Sequence, residues 1–429
     1  MMMSDQLPDG WEWAKLGDIA ELVGGGTPSR EHPEYFTGDI VWLTPTEIPK
    51  NRITVVSTSK ERITQEGLRK SSARVLPKGS VLMTSRASIG YVAIADTEVT
   101  TNQGFASFIC SNRVFNYYLA YWLFGTADFF IQEATGTTFK EITKSKLRNY
   151  SIPLPPLAEQ ERIVAKIEVL FSQLDAGVAA LRRIQAALKR YKASVLKAAC
   201  EGRLVPQDPA DEPAEALLHR LGKAPLVDDD LPALPEGWCW TIVGDVGEVI
   251  TGTTPPKKDL DNYGSFIPFV KPPELRDGPI TEAQDNLSEK GAKKARILPK
   301  DSVLVSCIGI IGKTGVNRIP VAFNQQINGI VFGEMVEALF GFYYFQSRKA
   351  REWLNEQASA TTVAIINKSK FSQAPIPLPP RQEQKRIIAE VEQRLSVAAE
   401  VEAVVAALLA RSVRLRQAIL KQAFEGKLV

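Results

Sequence analysis

The sequence predicts an α+β chain in which two globular α/β regions are joined by two long antiparallel helices forming a coiled coil, the whole a pseudo-two-fold internal repeat. Three observations predict it. The second half of the 429 residues retraces the first in the same order, each copy opens with short β-like runs, and each copy closes on a long stretch with apolar residues seven apart.

The repeat is read from matched segments. "LPDGWEWAKLGDIAELVGGGTP" (Leu7 to Pro28) aligns with "LPEGWCWTIVGDVGEVITGTTP" (Leu234 to Pro255) at a shift of 227. "ARVLPKGSVLMTS" aligns with "ARILPKDSVLVSC" at 222, as does Asn102-Gln103 with Asn324-Gln325. "IPLPPLAEQERIVAKI" and "IPLPPRQEQKRIIAEV" match at 224, and so do the ends "LKAACEGRLV" and "LKQAFEGKLV". Within each copy, runs such as "DIVWLT", "SVLMTS" and "YVAIA" are punctuated by Gly, Pro and Thr, which reads as short strands.

After the Pro-rich brace the pattern turns helical. Pro155 and Pro156 hold an extended approach, Glu159 and Glu161 suit the positive end of a helix dipole, and Gly202 and Gly426 mark the stops. In the first copy Ile163, Leu170, Ile184 and Tyr191 form one row with Gly177 in the gap, and Ile167, Leu174, Leu181, Leu188 and Val195 form the other. The second copy repeats this with Ile387, Arg394, Val401, Leu408, Leu415 and with Val391, Ala398, Val405, Ser412, Ile419. A stretch from Leu157 to Cys200 would be roughly 65 Å long at 1.5 Å per residue. Both seams are expected to pack on each other; the alternative is that each helix packs only on its own globular region. The resulting division is 1–156, 157–205, an acidic linker 206–235, 236–380 and 381–429.

Composition narrows the class. With 44% hydrophobic and 24% charged residues the chain is globular, and its longest apolar runs fall far short of the ~20 residues of a membrane span. The amino terminus shows no secretory pattern, and Cys110, Cys200, Cys239 and Cys307 lack metal-ligand spacing, so a reduced cytoplasmic protein without membrane contact is expected. The net charge is +3, but residues 206–237 hold eight acids against two bases, leaving a basic surplus of nine elsewhere. That surplus is compatible with nucleic acid as partner. The linker reads as a surface connection with one short helix near Glu212 to Leu221, keeping the halves soluble and apart.

These segments together resemble the specificity subunit of type I restriction-modification systems. The "GW.W" and "GTP" openings, the "IPLPP..EQ.RI" starts and the "EG(R/K)LV" ends carry the resemblance over essentially the whole chain. It implies two target-recognition domains, each reading one half of a split double-stranded DNA site, and two helices that hold them apart. It also implies docking of two methylase (modification) subunits on those helices for adenine methylation, with restriction/translocase subunits joining. The outer helix faces and the "EQ.RI" starts are then candidates for docking. S-adenosylmethionine, ATP and Mg would sit only on the partner subunits, with no cofactor here.

No catalytic constellation is visible. The strings "VKPPEL" and "LTPTEI" do not fit an adenine-methylase motif and serve better as matched strand ends, with Trp42 opposite Phe269 and Glu47 opposite Glu274. "GIIGKTG" imitates a phosphate loop but has Cys307 where the first glycine belongs. Carboxylates are dispersed, and only His32 and His219 could serve triads, so the chain is read as a non-catalytic reader. The competing reading is a coiled-coil adaptor that binds no DNA.

Base edges are read by Arg, Asn and Gln, whereas Lys, Ser and Thr hold phosphates. In the first copy the candidates are Thr27, Ser29, Arg30, Arg86, Gln103, Thr138 and Lys140; in the second they are Thr254, Lys257, Lys258, Lys313, Gln325, Gln326 and Thr362. For Asn102-Gln103 and Asn324-Gln325 the competing role is a turn that bonds its own backbone. Arg86 matches Ile308 and Lys140 matches Ala364, so the two half-sites are expected to differ. Trp11, Trp13, Trp238 and Trp240 read as core rather than stacking platforms, and the basic residues of the helices, such as Lys192 and Arg416, as a wet face.

Overall fold

The computed structural model describes residues 7–136, 140–359 and 363–429. Two compact units emerge, residues 1–182 with 406–429 and residues 183–405. This division differs from the five sequence segments because each unit takes the start of one long helix and the end of the other.

In the first unit a five-stranded sheet runs in the order Ala20–Gly24, Phe105–Cys110, Val81–Thr84, Val92–Ala95 and Thr54–Val56, antiparallel except for the last pair. Val81–Thr84 is buried on both faces, which explains its unbroken apolar run. Alternation serves two cores: Val81 and Met83 join one that includes Phe108 and Leu119, while Leu82 joins another with Phe105 and Leu43. A smaller sheet orders Glu61–Ile63, Ile40–Leu43 and Thr100–Thr101. Glu12–Lys15 pairs with Ser151–Leu154, tying the "GW.W" opening to the brace.

The second unit repeats this plan. Its five-stranded sheet orders Gly247–Thr251, Ile327–Phe332, Val303–Ser306, Thr314–Asn317 and Gly278–Ile280, and Cys239–Ile242 pairs with Pro375–Leu378. "GIIGKTG" lies in the hairpin between Val303–Ser306 and Thr314–Asn317, with the Gly312 amide donating to the Ser306 carbonyl at 3.0 Å. It therefore lacks the strand-to-helix setting of a phosphate loop.

The long helices span Leu157–Cys200 and Arg381–Phe424. The braced start has a specific cause. Gln160, fully buried, accepts from the Phe115 amide at 2.8 Å and donates to the Arg113 and Pro155 carbonyls at 3.0 and 2.9 Å. Gln384 does the same with the Glu337 amide and the Met335 and Pro379 carbonyls. The preceding carboxylates receive the tryptophans, Trp11 Nε1 donating to Glu159 at 3.2 Å and Trp238 Nε1 to Glu383 at 2.9 Å. The "EQ" pair is thus an internal bracket, which corrects its reading as a docking surface. At the stops Gly202 and Gly426 adopt φ of 64° and 68°, and the Arg203 and Lys427 amides each close a six-residue turn at 2.9 Å.

Helix packing is antiparallel within each unit. In the first, Ile163, Ile167 and Phe171 share a core with Ile419, Leu420, Ala423 and Phe424. Arg416 lies 4.4 Å above the Phe171 ring and pairs with Asp175. In the second, Val195, Leu196, Ala199 and Cys200 share a core with Ile387 and Val391, and Lys192 pairs with Glu402. The packing is therefore not confined to a helix and its own copy. The expected seam is only half right: Val391, Ala398, Val405 and Ile419 are buried, but Ile184, Tyr191, Val401, Leu408 and Leu415 are 39–46% exposed. Gly177 meets nothing within 4 Å, so the row that contains it has no continuous knob set to bury.

The linker also differs from expectation. Its helix, Ala214–Arg220, buries Ala214 and Leu218 completely in the core beside Trp238. Asp211 forms a two-bond pair with Arg386 at 2.6 and 3.3 Å. It is a built part of the second unit. Among the tryptophans, Trp11 and Trp238 are core, Trp13 is 42% exposed on its strand pair, and Trp240 is part-buried with Lys349 Nζ 4.7 Å above its ring.

Candidate nucleic-acid interface

In the first unit four loops meet at one end of the five-stranded sheet: beyond Gly24, beyond Thr84, ahead of Phe105, and at residues 140–142. Backbone bonds join them in sequence. The Gly26 amide donates to Thr101 at 2.9 Å, Ser85 to Gly104 at 2.8 Å, Ile142 to Ser85 at 2.9 Å and Ala87 to Lys140 at 2.9 Å. Gly25 is required by close approach, since a Cβ there would sit 1.9 Å from the Asn102 carbonyl oxygen. Trp42, buried beneath, donates from Nε1 to the Gly26 carbonyl at 2.9 Å.

On this frame Thr27 Oγ1 donates to Gln103 Oε1, and Arg86 faces Glu141 across an isolated bridge with side chains 4.0 Å apart. Arg86, Gln103 and Lys140 are exposed. Asn102 Oδ1 accepts from the Gly104 amide at 2.9 Å, so the expected Asx turn exists, and it is what presents Gln103.

Two first-copy candidates are bonded within the chain. Arg30 makes a two-bond pair with Glu61 at 2.6 and 2.8 Å and lies 4.2 Å above the Phe36 ring. The Glu61 carboxylate bonds hold the Arg30 guanidinium above its ordinary range, and the same bonds lower Glu61. Arg30 is committed within the chain, against its expected role at a base. Ser29 accepts from the Glu31 amide at 3.3 Å in the following turn.

The second unit builds the same junction. Gly252 stands where a Cβ would be 2.1 Å from the Asn324 carbonyl, and Thr254 Oγ1 donates to Gln325 Oε1. Cys307 donates to Gln326 at 2.8 Å, Ile366 to Cys307 at 3.0 Å and Gly309 to Ala364 at 2.9 Å. Asn324 Oδ1 accepts from the Gln326 amide and its Nδ2 donates to Gln326 Oε1, both at 3.1 Å, so Gln326 is a bracing residue and Gln325 the presented one. The Lys313 amide donates to Ser306 Oγ at 2.9 Å. Lys257 and Lys258 are exposed on the turn after Pro256. Thr138 and Thr362 lie outside the described residues.

Sequence reasoning missed Glu61 and the support from Trp42. The alignment of Trp42 with Phe269 hinted at a structural position but not at a bond to the glycine loop. Among the described residues no cluster of three His, Cys, Asp or Glu could hold a metal ion, and no helix is long and apolar enough to cross a membrane.

The fold is duplicated in this way, with one loop junction carrying a Thr–Gln pair on each copy. The family model for the type I restriction modification DNA specificity domain matches twice, over residues 8–189 and 235–397, and the chain belongs to that family. It is 28% identical over 383 residues to the type I restriction enzyme MjaIX specificity subunit of Methanocaldococcus jannaschii, covering 88% of this chain and 84% of the relative. A solved chain described under complex assembly and conformational transition of the type I R-M system superposes with a TM-score of 0.76 at 22% identity, covering 99% of this chain and all of that one. The HsdS subunit from Thermoanaerobacter tengcongensis superposes at 0.61 and 22% identity, with 98% of each chain covered. These chains share its fold.

Proposed function

We propose that this chain is the DNA-reading subunit of a type I restriction-modification complex, recognising a bipartite asymmetric double-stranded site with one half read by each unit. The observation that carries this is the loop junction built twice on the same backbone frame, with a Thr–Gln pair at each and different neighbours: Arg86 and Lys140 in one, Ile308 and Ala364 in the other. The chain performs no reaction. Its long helices space the two readers and carry two methylase subunits, which supply S-adenosylmethionine chemistry on adenine, while restriction/translocase subunits supply ATP- and Mg-dependent steps in the cytoplasm.

The test is genome-wide mapping of methylated adenine in strains with and without this gene. A split motif present only with the gene is expected, and its persistence in the deletion strain refutes the reading. Inserting whole helical turns in both long helices should lengthen the unread gap without changing the bases on either side. An adaptor that does not touch DNA would show no binding that weakens steeply with salt.

A further inference from the structure

The two junctions share a backbone but differ at one bridge. In the first unit the bridge pairs Arg86 with Glu141, and in the second it pairs Ile308 with Ile365. The residue two places on, Ser88 in the first copy, is Ile310 in the second. Ile310 is 68% exposed, Ile365 41% and the adjoining Val363 48%. The frame is otherwise kept, since the Ala87 amide bonds Lys140 and the Gly309 amide bonds Ala364, both at 2.9 Å. An ion pair has been exchanged for aliphatic side chains at a fixed place, next to the polar Thr254–Gln325 pair.

Large aliphatic groups left in water cost about 25 cal/mol per Å² of apolar surface, so a partner that covers them is favoured. On the major-groove edges of base pairs the apolar feature is the 5-methyl group of thymine. Resting on the reading of the units as DNA readers, we infer that the second unit selects thymine through its 5-methyl group, with Ile310 and Ile365 as the specificity-determining contacts. Gln325 supplies the neighbouring amide to a base edge. In the first unit the same bridge holds Arg86 and Glu141 in place of the two isoleucines.

The test uses the full chain assembled with its methylase subunits. A preferred site is selected from a random duplex pool, and each thymine in it is then replaced by uracil. The half-site of the second unit is identified as the one whose selected bases change in the double variant Ile308→Arg, Ile365→Glu. Removing the methyl group is expected to weaken binding about fourfold at one or more thymines of that half-site, since a methyl-sized group contributes ~0.8 kcal/mol. In the other half-site it should have no effect. Ile310→Ser should reduce the uracil sensitivity while the other bases of the second half-site are still selected, which also reports that the second unit is folded.

Uracil tolerated at every position, a second half-site lacking thymine, or a double variant that alters neither half-site overturns the inference and leaves the bipartite reading standing. Selection of no split site at all overturns both. Insertion of Ile310 as a wedge between base steps would be indifferent to the methyl group and counts against the inference.

Discussion

Phe424 belongs to the last turn of the second copy's helix yet lies 1% exposed in the core of the first unit. Its ring meets Tyr118 edge-on at 5.2 Å, and Tyr118, itself fully buried, donates its hydroxyl to the Pro153 carbonyl at 2.7 Å. Replacing Phe424 with Ala deletes a packed ring and one member of an aromatic pair, which costs about 3–5 kcal/mol. In a unit where that is a large share of total stability, the opening equilibrium should rise roughly 140- to 3,700-fold at 1.4 kcal/mol per tenfold. Hydrogen exchange read by peptide is the assay. Protection should fall in peptides covering 105–125 and 157–171, and it should hold in peptides covering 303–345 and 387–395. Loss of protection confined to second-unit peptides, or no loss anywhere, refutes the exchange of helix ends. Leu408→Ala, on a residue 41% exposed, should change stability by no more than about 0.5 kcal/mol and serves as the control.

Gly25→Ala places a Cβ 1.9 Å from the Asn102 carbonyl, so the turn presenting Gln103 must shift; binding should weaken by about 1–3 kcal/mol, the worth of one base contact, with the second half-site still selected. Burial raises the Glu383 carboxyl above its ordinary 4.5, while hydrogen bonds from Trp238 and Gln207 oppose the rise. Its native form therefore holds its proton more tightly than the unfolded chain, so the stabilisation is full below 4.5 and is lost as pH rises through the raised value. Glu383→Gln keeps an acceptor for Trp238 and should flatten chemical-denaturation midpoints across that window. Burial also pushes the thiols of Cys110, Cys200 and Cys307 up to about 12 and that of Cys239 to about 11. Iodoacetamide at pH 8 should label the folded protein slowly and all four cysteines quickly in denaturant. Lys257→Ala and Lys258→Ala should each reduce the slope of log affinity against log salt by about one and weaken all sequences alike.

What the sequence disclosed depended on how far apart the cause and the effect lie along the chain. Helix starts and stops are written within a few residues, so Pro155, Glu159 and Gly202 announced them. The repeat doubled every such signal, and Thr27, Gln103, Thr254 and Gln325 stood among the candidates at matching places of the two copies, although their pairing as Thr–Gln bonds was not legible. Arg30 misled because its partner Glu61 is 31 residues away, brought alongside by the small sheet. A free arginine on a Gly/Thr loop and one clamped by a carboxylate have the same local sequence. The linker misled for a similar reason. Its acids dominate its composition, but the pair Ala214 and Leu218, four apart on one short helix, is what places it in a core.

The helix seams show the same limit from another side. Heptad spacing reports that a face is apolar; it does not report which neighbour covers it. The row from Val391 to Ile419 is buried at its apolar positions, whereas Val401, Leu408 and Leu415 keep 39–46% of their surface in water. Single partly exposed apolar residues are common on proteins, but five recur here within the heptad rows of the two helices when Ile184 and Tyr191 are counted. Under the proposed function these are the positions that methylase subunits would cover. If they are, Val401→Ser with Leu408→Ser should leave DNA specificity intact and weaken methylase capture in co-purification. Methylase bound as tightly to that double variant as to the parent chain would place docking on another surface.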